Sequence, residues 1–147
     1  MEKVNVRVFS RQTAPDGRSS DLETLVRGEH YYRHGKHYIS YADKMVDEDG
    51  ITNTLVKIGP EELLLQRKGI VTQEQRFVPG KETESLYRTA LGTMALKAQT
   101  RSLELQLEGS RGKALLVYEL SINDEPVGVN ELHLEFSTLD GRELKLS

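Results

Sequence analysis

The sequence predicts an all-β chain, either an antiparallel sandwich or a closed barrel, with little or no helix. Two observations carry this. In at least six segments apolar and polar residues alternate strictly, the two-residue period of a strand with one face buried. These segments recur at intervals of about ten residues, between clusters of Gly, Pro, Asn and Asp that turn the chain. A helix is required nowhere.

Val4, Val6 and Val8 alternate with Asn5 and Arg7 and make the first strand. Ala14-Pro15-Asp16-Gly17 is a turn, set in a polar run from Arg11 to Asp21 that reads as an exposed loop. Leu22, Thr24 and Val26 then lead into the stretch from Gly28 to Tyr41, which holds three of the four histidines and four of the six tyrosines. Its centre, His34-Gly35, supplies the positive φ angles of a two-residue hairpin turn. That turn sets Arg33 opposite Lys36, Tyr32 opposite His37 and His30 opposite Ile39. Residues directly opposite share a face. Val26, Gly28, His30, Tyr32, His37, Ile39 and Tyr41 make the more apolar, inward face; Tyr31 and Tyr38 lie on the other. Two cations beside the turn weaken the register, and a one-residue slip would exchange the faces.

Asp47-Glu48-Asp49-Gly50 reads as a turn, after which Thr52, Thr54, Val56 and Ile58 alternate inward. Gly59-Pro60 turns the chain again, into a strand from Leu63 to Lys68. Pro79-Gly80 is a further turn. Between Leu86 and Ala98 the local pattern is divided: Leu86, Ala90, Leu91 and Met94 have helical spacing, whereas Gly92 and the neighbouring Tyr87, Thr89 and Thr93 favour strand. The rest alternates cleanly. Leu103, Leu105 and Leu107 form one strand, and Leu116, Tyr118, Leu120 and Ile122 the next. After a turn at Asn123 to Pro126 come Leu132, Leu134 and Phe136, and Asp140-Gly141 leads to Leu144 and Leu146. Leu105, Leu120, Leu134 and Phe136 are expected in the core.

At 147 residues the chain is one domain, residues 1–147, long enough to bury a core. Its net charge of −3 argues against a general nucleic-acid binder. It has no cysteine, which excludes disulfides, thiolate catalysis and zinc-thiolate sites and fits a reducing compartment. No apolar run is long enough to span a membrane, and the start MEKVNVRVF lacks a signal-peptide pattern. A cytoplasmic protein without membrane contact is expected.

Catalytic signals are weak. His30, His34 and His37 would share a face on a helix, but in a hairpin only His30 and His37 are diagonal neighbours. Two histidines without a carboxylate make a poor metal site, and neither a metal nor a cofactor is expected. No Gly-x-Ser-x-Gly elbow and no phosphate loop occurs. Arg67 stands out, because alternation puts it on one face with Leu63 and Leu65. Burying it there is costly unless it is paired, so it lies either at a barrel rim or inside as an anchor for an anion. Gly92 suggests a bulge or a bend at a barrel corner.

Tyr38-Ile39-Ser40-Tyr41 after a Gly-Lys turn, Arg67-Lys68-Gly69 ahead of Phe77 and Gly80, Tyr87-Arg88-Thr89-Ala90-Leu91-Gly92, and a late Tyr118-Glu119-Leu120 form an ordered set. In this order the chain resembles, over essentially its whole length, the YwiB-like family of small bacterial proteins. The resemblance implies an antiparallel, calycin- or lipocalin-like β-barrel of about 8–10 strands, and so two strands meeting near Gly92. It implies no activity. The chain departs from the family pattern at Ala90-Leu91, where a proline and an aromatic are expected, and in the polar Gln75-Arg76 before Phe77. By this analogy the barrel binds a small molecule or peptide inside or at its mouth, through Arg67, Tyr41, Tyr87, Thr89, Tyr118 and His30. The rival expectation is a filled barrel without a ligand, whose Tyr31 and Tyr38 face contacts a protein partner; an enzyme is the third. A far-ultraviolet circular dichroism spectrum of sheet type, with less than about a tenth helix, is the expected outcome; helical minima would contradict it.

Overall fold

The structure is a computed structural model and describes residues 2–43, 52–109 and 111–138. Ten strands follow one another: β1 (Glu2–Thr13), β2 (Ser19–Arg33), β3 (Lys36–Asp43), β4 (Thr52–Ile58), β5 (Leu63–Gly69), β6 (Gln73–Phe77), β7 (Glu82–Thr89), β8 (Gly92–Glu108), β9 (Arg111–Ile122) and β10 (Glu125–Thr138). Among the described residues there is no helix, and hence none that is long and apolar enough to cross a membrane.

The strands form one antiparallel sheet in the order β6-β5-β4-β3-β2-β1-β10-β9-β8-β7. Every neighbour is the next strand in sequence except β1 and β10, which join the two ends of the series. The sheet curls until its outer strands meet. There the bridge Thr72 to Arg88 donates in both directions, at 3.0 and 2.9 Å. Side chains complete the seam. Gln75 Nε2 donates to Thr83 Oγ1 at 2.9 Å, Ser85 Oγ donates to Gln75 Oε1 at 2.5 Å, and the Thr83 hydroxyl donates to the Arg76 carbonyl. The result is a nearly closed ten-stranded barrel.

Turn chemistry fixes the register. His34 and Gly35 have φ of +52° and +78°, and Arg33 pairs with Lys36, Tyr32 with His37 and His30 with Ile39, as the two-residue turn requires. Asn123 and Asp124 repeat the device at φ +50° and +68°, and Asn123 Oδ1 accepts from the Ala95 amide at 3.0 Å. Gly28 answers a different need. A Cβ there would stand 2.4 Å from the Ser40 carbonyl oxygen, so glycine lets β3 approach where it begins to pair with β2.

The core lies inside the barrel, where Val4, Ile39, Ile58, Leu63, Phe77 and Leu116 are almost wholly buried. Thr52, Thr54, Val56 and Ile58 all face inward, and Leu134 and Phe136 are core residues. Four expectations need correction. The polar run from Arg11 to Asp21 is mostly strand, because Arg11 pairs with Asp21 in the ladder and their side chains bond at 2.8 Å. Tyr32 is 62% exposed, since it sits beside the turn and meets His37 only edge-on. Leu120 is only half-buried, on the last stretch of β9 before its turn, and Leu105 packs against the core without entering it fully. Gly92 is neither bulge nor corner: it closes the β7–β8 hairpin opposite Thr89, with Leu91 96% exposed at the tip. The irregularities fall instead at Thr100/Ser102 and at Pro126/Gly128. The Asp47–Gly50 turn and the Asp140-Gly141 turn with Leu144 and Leu146 lie outside the described residues.

Phe136→Ala should cost roughly 3–5 kcal/mol in urea denaturation, because the ring is buried to 3% exposure. Leu120→Ala should cost clearly less. Equal costs would show that the two residues are equally buried.

Candidate functional site

A barrel interior built by strict alternation should be apolar throughout, and this one is not. Thr54 pairs with Arg67 across β4 and β5, and Gln73 pairs with Arg67 across β5 and β6, so the three share the inner face. Thr52 lies two residues before Thr54 on that face. On the far wall Thr100, Tyr118 and Asn130 stand in register across β8, β9 and β10. Arg67 Nε, the hydroxyls of Thr52, Thr54 and Thr100, and Asn130 Nδ2 are all buried without a hydrogen-bond partner.

The two walls meet through Tyr118. Its ring lies 4.6 Å from that of Phe77, centroid to centroid. Burial pushes the Tyr118 hydroxyl above its ordinary range, while the charge of Arg67 pulls it the other way, so the phenol stays protonated at neutral pH. Among the described residues no carboxylate pairs with Arg67. Leaving a buried donor unsatisfied costs about 1–3 kcal/mol, more for a charged group. Hydroxyls and side-chain amides both donate and accept, so this inner wall holds several unpartnered polar groups beside one cation.

His30 belongs to a separate cluster. Its Nε2 lies 2.9 Å from His37 Nδ1, and both rings pack on Phe136 with centroids at 4.8 and 6.1 Å. Tyr41 is buried on β3, one strand beyond Thr54, and lines an outer groove of about 750 Å³ with Arg27, Tyr31, Gln66 and Lys68. Tyr87 is half-buried near the end of β7. The Thr89 hydroxyl accepts from the Leu91 amide at 3.1 Å, which ties it to the β7–β8 turn. Of the six residues picked from sequence, Arg67 and Tyr118 are brought together, Tyr41 flanks them, and His30, Tyr87 and Thr89 lie elsewhere.

A larger groove of about 1080 Å³ runs across β2, β1, β10, β9 and β8, with Val6, Leu107 and Phe136 among its lining and Arg7, Arg27 and Lys113 along it. On the outer sheet face Tyr31 and Tyr38 stack at 4.5 Å, with Lys57 over the Tyr38 ring. Among the described residues no three His, Asp or Glu side chains converge as a metal site.

Sequence reasoning missed Thr100 and Asn130 as partners of Tyr118. The alternation of Thr52 and Thr54 with Val56 and Ile58 was a legible signal for a polar inner wall. Thr100 gave none, because the irregularity beside it resets which residues point inward.

Residues 6–134 match the model of a domain of unknown function, DUF1934. The chain is 29% identical over 121 residues to the uncharacterized beta-barrel protein YwiB of Bacillus subtilis (strain 168), covering 82% of this chain and 84% of that protein. It superimposes on the crystal structure of the ywiB protein from Bacillus subtilis with a TM-score of 0.83 at 25% identity, covering 95% of this chain and 93% of the other.

Arg67→Met keeps most of the apolar stem and removes the guanidinium with its buried, unpartnered Nε. The urea midpoint of the ligand-free barrel should stay the same or rise. A clear fall would mean that the charge is satisfied in the resting protein.

Proposed function

The chain belongs to the DUF1934 family, and we propose that its barrel binds a small anionic, partly apolar ligand with Arg67 as the anchor. One observation carries the reading: Arg67 Nε is buried, has no hydrogen-bond partner and shares the inner face with the unpartnered Thr54 hydroxyl. A guanidinium in that position is complemented by a carboxylate or phosphate oxygen, a stronger acceptor for a cation than a neutral hydroxyl. Thr54 and Tyr118 would hold the same head group. The apolar body would lie along Leu65 and Phe77, on the faces that continue from Arg67 and Tyr118. The calycin-like resemblance supports this use of a barrel by analogy, and the absence of cysteine fits a cytoplasmic setting.

A second reading has its own support. Phe77 reaches Tyr118 across the interior, which argues for a filled barrel, while the stacked Tyr31 and Tyr38 offer a flat outer face to a protein partner.

A thermal-shift screen separates the two. Short-chain carboxylates, phosphates and fatty acids are titrated against the wild type and Arg67→Met. Under the anion reading at least one compound raises the wild-type midpoint increasingly with concentration, by about 2.7 kcal/mol at a hundred times its dissociation constant, and leaves Arg67→Met unmoved. Equal shifts in the two proteins, or none in either, favour the filled barrel.

A further inference from the structure

His30 and His37 sit on the two strands of the hairpin that His34-Gly35 closes, two residues out of direct register. Both are buried, at 3% and 8% exposure. Their rings are nearly parallel, 22° apart with centroids at 5.2 Å, and His30 Nε2 lies 2.9 Å from His37 Nδ1. One of these nitrogens must donate and the other accept. The pair can therefore take up one proton and share it. A second proton would set two N–H groups against each other across 2.9 Å.

The surroundings offer that second charge little help. From β10 the pair meets the apolar ring of Phe136, and from β4 Ile58 stands opposite His37. Tyr32 covers His37 edge-on at 4.9 Å. On β1, Glu2 pairs in register with His30 and favours its charged form. His30 Nδ1 is buried without a partner.

We infer that the His30–His37 pair is a proton-sensitive latch, which holds the β2–β3 hairpin on Phe136 when neutral and releases it when both rings are protonated. The latch is independent of whether Arg67 takes a ligand. Its release also bears on the larger groove, because Phe136 lines that groove and carries the histidines as well.

The direction follows from linkage. Burial lowers the affinity of both imidazoles for protons, and for His30 the neighbouring His37 lowers it further. The closed hairpin therefore binds fewer protons than the open one, and stability present above the ordinary histidine value of about 6.5 is lost as pH falls through it. Each proton withheld changes the opening equilibrium about tenfold per pH unit, so two give at most about a hundredfold.

Amide hydrogen exchange on the full chain at pH 7 and pH 5, corrected for intrinsic rates, tests this. Protection at residues 30–39 should fall at least tenfold more than at Leu115 and Leu116 on β9. His30→Phe/His37→Phe keeps rings against Phe136 and should remove that difference, whereas His34→Gln, in the exposed turn, should keep it. A uniform loss across the barrel, or an unchanged difference in the double variant, overturns the latch. Nuclear magnetic resonance titration of the wild-type imidazoles decides the matter if the double variant does not fold. Titration that coincides with hairpin opening supports the proposal; ordinary titration with the hairpin amides still protected refutes it.

Discussion

A curled sheet of ten strands has two edges, and each presents a row of backbone groups that must be bonded or hidden. In this barrel β6 and β7 solve the problem with very little ladder. One bridge, Thr72 to Arg88, carries the backbone pairing, and a run of short polar side chains from Gln73 to Thr83 and Ser85 does the rest. Once those edges are joined, the inside of the sheet is an inside. Phe77 can then reach Tyr118, and Arg67 on β5 faces a wall made by β8, β9 and β10. Both polar clusters depend on that closure, because neither has meaning on an open sheet with solvent on both faces.

Polar groups in a barrel core are tolerated only where something offsets their desolvation. The two clusters do this in different ways. His30 and His37 bond one another through one nitrogen each and lean on Phe136, while His30 Nδ1 stays unpartnered. At Arg67 there is no such mutual contact: its Nε and the hydroxyl of Thr54 opposite are unpartnered, and among the described residues no acid pairs with it. The first is a mutual histidine contact on an apolar ring, the second a set of unpartnered polar groups beside one cation. Phe136 and Phe77 are the apolar rings against which these clusters rest.

Much of the fold was legible because short-range rules dominate it. The positive-φ turn at His34-Gly35 fixed the pairing of six residue pairs in the hairpin, and β4 follows from alternation, whereas β5 was read from a leucine run too short for a helix that ends at Gly69 before Ile70, Val71 and Thr72. Arg67 was visible as an arginine sharing a face with leucines. What escaped was set by longer-range geometry. Arg11 to Asp21 reads as loop by composition, yet its charges pair across the ladder. Helical spacing from Leu86 to Met94 dissolves because Leu86 and Leu91 are exposed, one on an outer face and one at a turn tip. The irregularity beside Thr100 alters the inward set of β8 in a way that no periodicity reports. The diagonal approach of His30 and His37 was legible from the hairpin register, whereas their shared packing on Phe136 of β10 was not.

The seam has a consequence for how substitutions in this chain combine. Gln75 serves at once as acceptor for Ser85 and as donor to Thr83, and Thr83 in turn bonds the backbone of the strand that carries Gln75. These side chains are a single hydrogen-bonded unit distributed over two strands. Replacing one member leaves a buried group of another unsatisfied, which costs more than the lost bond itself, whereas replacing the set together by apolar residues of like shape costs little. Gln75, Thr83 and Ser85 therefore act on stability as one unit, and the cost of changing them depends on whether they change singly or together.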